Sequence, residues 1–390
     1  MGLVANIRMV LHREERRVAK RRSYLALLTL LPAVAFVVFG LLFIHPVTGL
    51  PIALLDSDNT PTSRTLASMV DATEGVDILY NVTNAAEGER LMRQGKSYAM
   101  LIIPEGFERS LLGGAEAVVS LYNSGVNLTT NGVLERDVQS AVRSFSVGAQ
   151  LQQLEAQGLS PDEAMAMAMP VVFDRHILFN PELDYAAYLA PVFMAMTLLI
   201  FAVMTTIYAV GSELKEGSAR EWLDAAGGSM WRAVVGKLAL PTVVMWLWGG
   251  VMFFVLFVLL GVPIRGNLWM LVLATMAFIV SYEAVAVVFV VLFDNMRLAL
   301  SVGGGYSVLS FSFSGVTFPA MAMYAPMRVA GNIFPFTFYM RIYVDLALRG
   351  VPVGYVLRDV AMMLLFLLLP LMALPRLKKM CVDEKFWGKI

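Results

Sequence analysis

Long apolar runs separated by short polar stretches dominate the chain. Six of these runs are about twenty residues long, the length of helix that crosses a ~30 Å hydrocarbon core. Because backbone groups in lipid have to be satisfied within the segment, each run predicts a helix. The six predicted spans are Tyr24–Ile44, Tyr188–Val210, Ala239–Leu260, Leu268–Phe293, Leu298–Phe318 and Tyr355–Leu374.

The segment between the first two spans, residues 45–187, follows a different pattern. Short runs rich in β-branched residues alternate there with helical periodicity, which predicts a small mixed or parallel sheet with helices packed on it. Thr60 is the expected N-cap of the first of these helices, with Pro61 at its first position. The predicted strands are Pro51–Leu55, Val76–Tyr80, Ser97–Ile103 and Ala117–Tyr122, and the later predicted helices are Asn84–Arg93, Glu105–Leu112, Leu128–Gln157 and Pro161–Met169.

Composition supports a membrane protein and excludes several other classes. Of 390 residues, 58% are apolar and 15% charged, and the mean hydropathy is +0.68, which excludes a soluble enzyme. The net charge is zero, so no basic surplus points to nucleic acid. A single cysteine, Cys381, and three scattered histidines (His12, His45 and His176) favour neither a disulfide framework nor a metal site.

The distribution of Lys and Arg predicts the orientation. With six spans, one side of the membrane holds residues 1–23, 211–238, 294–297 and 375–390, which together carry 17 Lys and Arg. The short connections on the other side carry five, so we expect both termini in the cytoplasm. Residues 45–187, with 18 acidic and 8 basic residues, are then an extracytoplasmic domain.

Residues 1–23 predict a basic amphipathic helix. Helical spacing places Val4, Ile7, Val10 and Leu11 on one face, away from Arg8 and Arg13. Such a helix is typical of the membrane interface, with its cations at anionic headgroups. Two interpretations stay open, a simple positive anchor and a docking surface for a cytoplasmic partner.

The loop 211–238 predicts a short helix on the cytoplasmic face of the membrane. It mixes helix formers, charges and one aromatic residue, and Gly227-Gly228 breaks it before the next span. We expect Glu216, Glu221 and Trp222 to point outward from this helix. The alternative is a solvated helical hairpin without a partner.

Three regions supply candidates for a transport path and its external gate. Glu283 lies inside the fourth predicted span, where a carboxyl is costly unless it is paired, protonated or hydrated. The fifth span is rich in Gly and Ser, typical of close helix packing or of a subunit interface. Residues 319–350 are too broken by proline for a simple span and predict an external re-entrant segment. The candidates are Glu283, Ser310, Ser314, Phe318, Phe334 and Phe338 for the path, and Pro319, Pro335 and Arg341 for an external gate.

Several motifs, in order along the chain, resemble the membrane subunit of type-2 ABC exporters, the ABC-2 family. Family members carry a cytoplasmic stretch with Glu, Gly and Thr, then a Gly-Lys pair that enters the third span. Here Glu216–Leu223 resembles that stretch, with Ser218 in place of Thr, and Gly236-Lys237 follows. Further similar segments are Ile52–Asn59, Ile102–Glu108, Asn180-Pro181, Ser314–Met323 and Asn332–Phe338.

The resemblance implies a bacterial inner-membrane permease that exports a hydrophobic or amphiphilic substrate. It implies a coupling helix that contacts a separately encoded ATP-binding subunit, and the coupling residues would be Glu213, Glu216, Gly217, Ser218, Glu221, Trp222 and Leu223. ATP and Mg²⁺ would be bound by that subunit, and this chain would bind no cofactor and catalyse no reaction. Other implied partners are a second permease protomer, identical or not, the lipid bilayer, and a periplasmic adaptor.

No phosphate-binding loop occurs in the chain itself. Gly95-Lys96-Ser97 resembles the end of one, but Arg90 stands where the first glycine is needed. Two other functions stay open: a proton-coupled secondary transporter that uses Glu283, and an envelope receptor that does not transport. The first would be expected to show an internal repeat, which we do not find.

Overall fold

A computed structural model of the chain describes residues 3–44, 47–169, 178–180 and 184–388. His45, His176, Pro181 and Lys389, which enter the sequence predictions, lie outside the described residues. The chain divides into two compact units, which we call the helical unit (residues 1–44 and 177–390) and the sheet unit (residues 45–176).

Two consecutive helices begin the helical unit, α1 (Leu3–Lys20) and α2 (Arg22–Phe43). Arg21 separates them, because its backbone is extended at φ −111° and ψ 100°. Of the residues predicted on the apolar face of α1, Val10 is buried and Val4 is 75% exposed.

The sheet unit contains one mixed four-stranded sheet in the order β2-β1-β3-β4. Its strands are β1 (Leu50–Asp56), β2 (Val76–Asn81), β3 (Ala99–Ile103) and β4 (Ser120–Asn123). β1 pairs in parallel with β2 and β3, while β4 is antiparallel to β3. All four predicted strands are therefore present, although the last starts three residues later than the apolar pattern suggests.

Five helices of the sheet unit follow the predicted starts closely. They are α3 (Pro61–Asp71), α4 (Ala85–Arg93), α5 (Phe107–Leu112), α6 (Leu128–Ala156) and α7 (Pro161–Ala168). The capping residues explain the agreement: Thr60 forms a capping box with Ser63, and Ser160 forms one with Glu163.

Asp58 connects two of the motifs that carry the family resemblance. Its carboxylate accepts hydrogen bonds from the backbone N–H groups of Gly106, Phe107 and Glu108 at 2.8–3.0 Å. A hydrogen bond from the Thr60 hydroxyl lowers the pKa of Asp58, and these N–H groups lower it further, against a smaller effect of desolvation. The turn after β1 is thereby fixed to the start of α5.

In its described residues the helical unit continues with eight further helices, short 3-10 turns not counted. They are α8 (Tyr185–Lys215), α9 (Ala219–Ala225), α10 (Met230–Leu259), α11 (Leu268–Leu292), α12 (Met296–Ser312), α13 (Ala325–Ala330), α14 (Pro335–Tyr343) and α15 (Leu357–Val382). The apolar stretches of α8 and α11 are 61% and 67% buried, against 17% for α2, so α8 and α11 form the centre of the unit.

Five helices of the described chain are long and apolar enough to cross a membrane: α2, α8, α10, α11 and α15. The fifth predicted span, Leu298–Phe318, is shorter than expected because α12 ends at Ser312. Its 17 residues reach about 26 Å, less than a ~30 Å hydrocarbon core. Gly315, at φ +83°, and Pro319 follow the helix and keep it from extending.

Candidate functional site

A buried lysine lies at the centre of a group of charged residues that joins three helices. The Lys237 ammonium, on α10, contacts Glu213 Oε1 of α8 at 2.7 Å and also binds Glu14 of α1. All three side chains are at most 1% exposed. Because isolated buried charges are very costly, the three depend on one another and on the arginines around them.

Three arginines spaced four residues apart complete this group, two on α1 and one, Arg21, directly after it. Arg13 and Arg17 pair with Glu213, and Arg17 also donates to Glu216 Oε2 at 3.1 Å. Arg21 pairs with Glu216. We call Arg13, Glu14, Arg17, Arg21, Glu213, Glu216 and Lys237 the Lys237 cluster.

The Lys237 cluster is close to electrically neutral. It holds four cations and three carboxylates, and Glu221 adds a fourth carboxylate at the rim, 3.7 Å from Arg13. Burial lowers the pKa of Arg13, but the hydrogen bond and charge of Glu213 raise it more, so the pKa is above its ordinary value. Arg13 is thus held in its charged form.

Gly217 and Ser218 shape the turn between α8 and α9. Gly217 has φ +70°, a conformation that favours glycine. Ser218 precedes α9 without capping it, because its hydroxyl donates to Glu213 Oε2 at 2.5 Å and accepts from Arg17 at 3.2 Å. The turn is therefore bonded to the Lys237 cluster.

The prediction that Trp222 points outward is wrong. Trp222 is fully buried, its indole N–H donates to the Ala233 carbonyl at 3.0 Å, and Lys237 Nζ lies 5.5 Å from the ring centre. Charges before and after it in the sequence suggested an exposed helix, but α9 is short and folds back on α10. Leu223 is also buried, whereas the Glu221 side chain is 79% exposed. Glu216 is bound to α1.

The Gly-Lys pair has a structural explanation. A Cβ atom on Gly236 would lie 2.8 Å from Val10 Cβ and 2.9 Å from the Ile7 carbonyl oxygen. Only glycine lets α1 approach α10 this closely, and the approach brings Glu14 to Lys237. Sequence reasoning missed Arg13, Glu14, Arg17 and Lys237 as members of the site, although the Gly-Lys pair was the available signal.

The intramembrane carboxyl, Glu283, has one partner in the described chain. Its Oε2 is 2.7 Å from the Thr242 hydroxyl of α10, and its Oε1 is buried without a hydrogen bond. The Thr242 hydroxyl also lies 2.8 Å from the Leu238 carbonyl. Glu283 therefore connects α11 to α10.

The hydroxyls of the two serine candidates donate to backbone carbonyls three or four residues earlier in the chain. Ser310 donates to the Tyr306 carbonyl and Ser314 to the Phe311 carbonyl, at 2.8 and 2.7 Å. Gly303 allows close contact with α8, because a Cβ there would lie 2.8 Å from Ile207. These contacts agree with the interpretation of this stretch as a packing surface within one chain.

Residues 319–350, predicted as an external re-entrant segment, form short helices with buried aromatic residues. Phe334 and Phe338 are each 2% exposed, and Phe334 packs on the ring of Tyr306 at 4.9 Å. Pro335 starts α14, and Arg341 lies 5.8 Å from the Phe338 ring and 3.9 Å from Asp359. In contrast, Phe318 is 53% exposed and Pro319 is also exposed. The path and gate candidates thus do not form one surface.

Comparison with known proteins gives one match. The model of the ABC-2 family transporter proteins matches residues 22–374. No curated protein and no solved structure matches the chain. Within the described residues, no group of three or more His, Cys, Asp or Glu side chains is placed to hold a metal ion.

Proposed function

The chain belongs to the ABC-2 transporter family as a membrane-spanning transport subunit, and we propose that it is half of an exporter permease. In this proposal separate subunits bind ATP and Mg²⁺ and hydrolyse the ATP. The permease moves a hydrophobic or amphiphilic substrate out across the bacterial inner membrane by alternating access. Its role is to bind substrate differently in two states.

The topology in this proposal has six spans, with α12 as the short fifth one. Both termini, α1 and α9 face the cytoplasm, and the sheet unit lies outside. The surplus of Lys and Arg next to the proposed cytoplasmic span ends supports this orientation. Although α12 is short, it can serve as the fifth span if neighbouring helices cover both of its ends.

The Lys237 cluster is the observation that best supports coupling to an ATPase. It connects the loop after α8 to α1 and α10 through buried charges, so a force on α9 reaches all three helices. Breaking a buried pair typically costs about 3–5 kcal/mol, which keeps these elements together during a movement. The exposed residues of α9 (Arg220, Glu221 and Asp224) would contact the ATP-binding subunit.

A pull-down of the tagged chain from its native membrane in mild detergent tests this function. We expect an ATPase with an intact phosphate-binding loop in stoichiometric amount. Glu221→Ala, at an exposed position, should weaken its recovery without affecting membrane insertion. Glu135→Ala, an exposed carboxylate of the sheet unit, is the matched control.

The same pull-down identifies the remaining proposed partners. It shows whether the second protomer is the same chain and whether a periplasmic adaptor is present. If the chain is isolated without an ATPase, under conditions that preserve a known ABC complex, the proposal of an ATP-driven exporter is contradicted. That result would favour a proton-coupled secondary transporter that uses Glu283. If Glu221→Ala recovers as much of the ATP-binding subunit as the wild type, that subunit contacts a part of the chain other than α9.

A further inference from the structure

The outer side of α1 carries a groove of about 1210 Å³. Its described lining residues recur as neighbouring pairs every four positions, so they form one stripe along the helix. Six of them are Arg or Lys, and none of those described is acidic. We call this the α1 stripe.

The six cations of the α1 stripe fall into two sets. Arg13, Arg17 and Arg21 are bound by the carboxylates of the Lys237 cluster. Arg8, Arg16 and Lys20 are exposed and make no ion pair within the described chain. From Arg8 to Lys20 this second set spans twelve residues, about 18 Å of helix.

The position of α1 relative to the first span favours a membrane surface. The Tyr24 hydroxyl donates to Glu14 at 2.8 Å. Ten residues of straight helix would separate the two by about 15 Å, more than their side chains can bridge, so α1 turns back at Arg21. The α1 stripe also includes Val4 and Met9, which are 75% and 41% exposed.

We propose that the α1 stripe binds the headgroups of anionic phospholipids. Arg8, Arg16 and Lys20 contact the phosphates, and Val4 and Met9 lie toward the acyl chains. A row of unpaired cations next to a span suits an anionic leaflet, to which each contributes about a fivefold preference. A protein partner is better matched by α9, whose exposed residues carry both signs of charge.

Native mass spectrometry of the full chain tests this proposal. The purified protein is titrated with phosphatidylglycerol and with phosphatidylcholine of the same acyl chains. We expect the wild type to prefer phosphatidylglycerol, and the triple variant R8Q/R16Q/K20Q to lose up to about a hundredfold of that preference. The control R90Q/K96Q/R109Q removes three exposed cations of the sheet unit and should leave it unchanged.

Three outcomes would overturn the proposal. The first is equal preference in wild type and triple variant. The second is a triple variant that keeps its lipid preference but no longer recovers the ATP-binding subunit, which would make the α1 stripe a protein surface. The third is displacement of the lipid by soluble glycerol phosphate, which would indicate a phosphate pocket. Unchanged thermal unfolding of the triple variant verifies that it is folded.

Discussion

Replacing Lys237 by Met removes the one ammonium in the described part of the chain that contacts both Glu14 and Glu213. The two carboxylates then remain buried, and Glu14 loses its sole ion-pair partner in the described chain. Leaving a buried charge without its partner costs about 3–5 kcal/mol. We expect about 3 kcal/mol, because Arg13 and Arg17 still neutralise Glu213.

Two assays measure this loss in detergent. Equilibrium unfolding followed by tryptophan fluorescence reports on the surroundings of Trp222, which packs beside Lys237. Limited trypsin digestion reports on the release of α1, which offers cleavage at Arg8, Arg16 and Lys20. A loss of 3 kcal/mol raises the fraction of molecules in which α1 is released on the order of a hundredfold. The rate of trypsin cleavage rises by the same factor if α1 is released and rebinds faster than trypsin cuts.

A double-mutant cycle separates the ion pair from general damage. Adding Glu14→Gln to Lys237→Met removes the unpaired charge, so the double variant should be more stable than the sum of the single changes by about 1–2 kcal/mol. Lys215→Met, at an exposed position of α8, is the control and should stay within about 0.5 kcal/mol of wild type. Strict additivity, or a loss below about 1 kcal/mol for Lys237→Met, would refute the coupling that we describe.

Three further changes test other parts of the structure. Gly236→Val places a side chain against Val10 and should lower the free energy of unfolding by about 1–3 kcal/mol in the same assay. Gly250→Val should lower it less, because a Cβ at Gly250 would have no other atom within 4 Å. Glu283→Gln keeps a hydrogen bond to Thr242, so ATP-driven transport should stay within about twofold of wild type; loss of transport in a folded variant would favour proton transfer. The lowered pKa of Asp58 means that its stabilisation is complete above the ordinary carboxyl pKa and is lost as pH falls through the lowered value. Asp58→Asn should therefore make the sheet unit less stable at neutral pH and less sensitive to acid, as followed by circular dichroism.

Periodicity and local signals predicted the individual elements well. The apolar runs locate five helices that are long enough to span, and Thr60-Pro61 marks the start of α3. These features depend on residues close together in sequence, which is why a single chain reveals them. The end of α12 at Ser312 was missed because the chain carries no charged residue from Leu298 to Phe318, and the lack of charge alone does not indicate where a helix stops.

The Lys237 cluster was beyond sequence reasoning because its members are distant along the chain. Glu14 and Lys237 are 223 positions apart. Apart from the Gly-Lys pair, each of these charged residues reads locally as part of a solvated cytoplasmic segment, and its own surroundings in sequence do not indicate burial. The same reason explains the error at Trp222, since the residue that covers it, Lys237, belongs to the next helix.

The cations of α1 have two separable roles. Arg13, Arg17 and Arg21 contribute to the charge bias from which we predict the orientation, but in the folded protein they are paired with Glu213 and Glu216. Among the described lining residues of the groove, Arg8, Arg16 and Lys20 are the cations that stay exposed and without an ion pair. Screening by salt reduces exposed charge interactions far more than buried ones. High salt should therefore abolish the lipid preference of α1 while leaving its attachment to α8 and α10 intact.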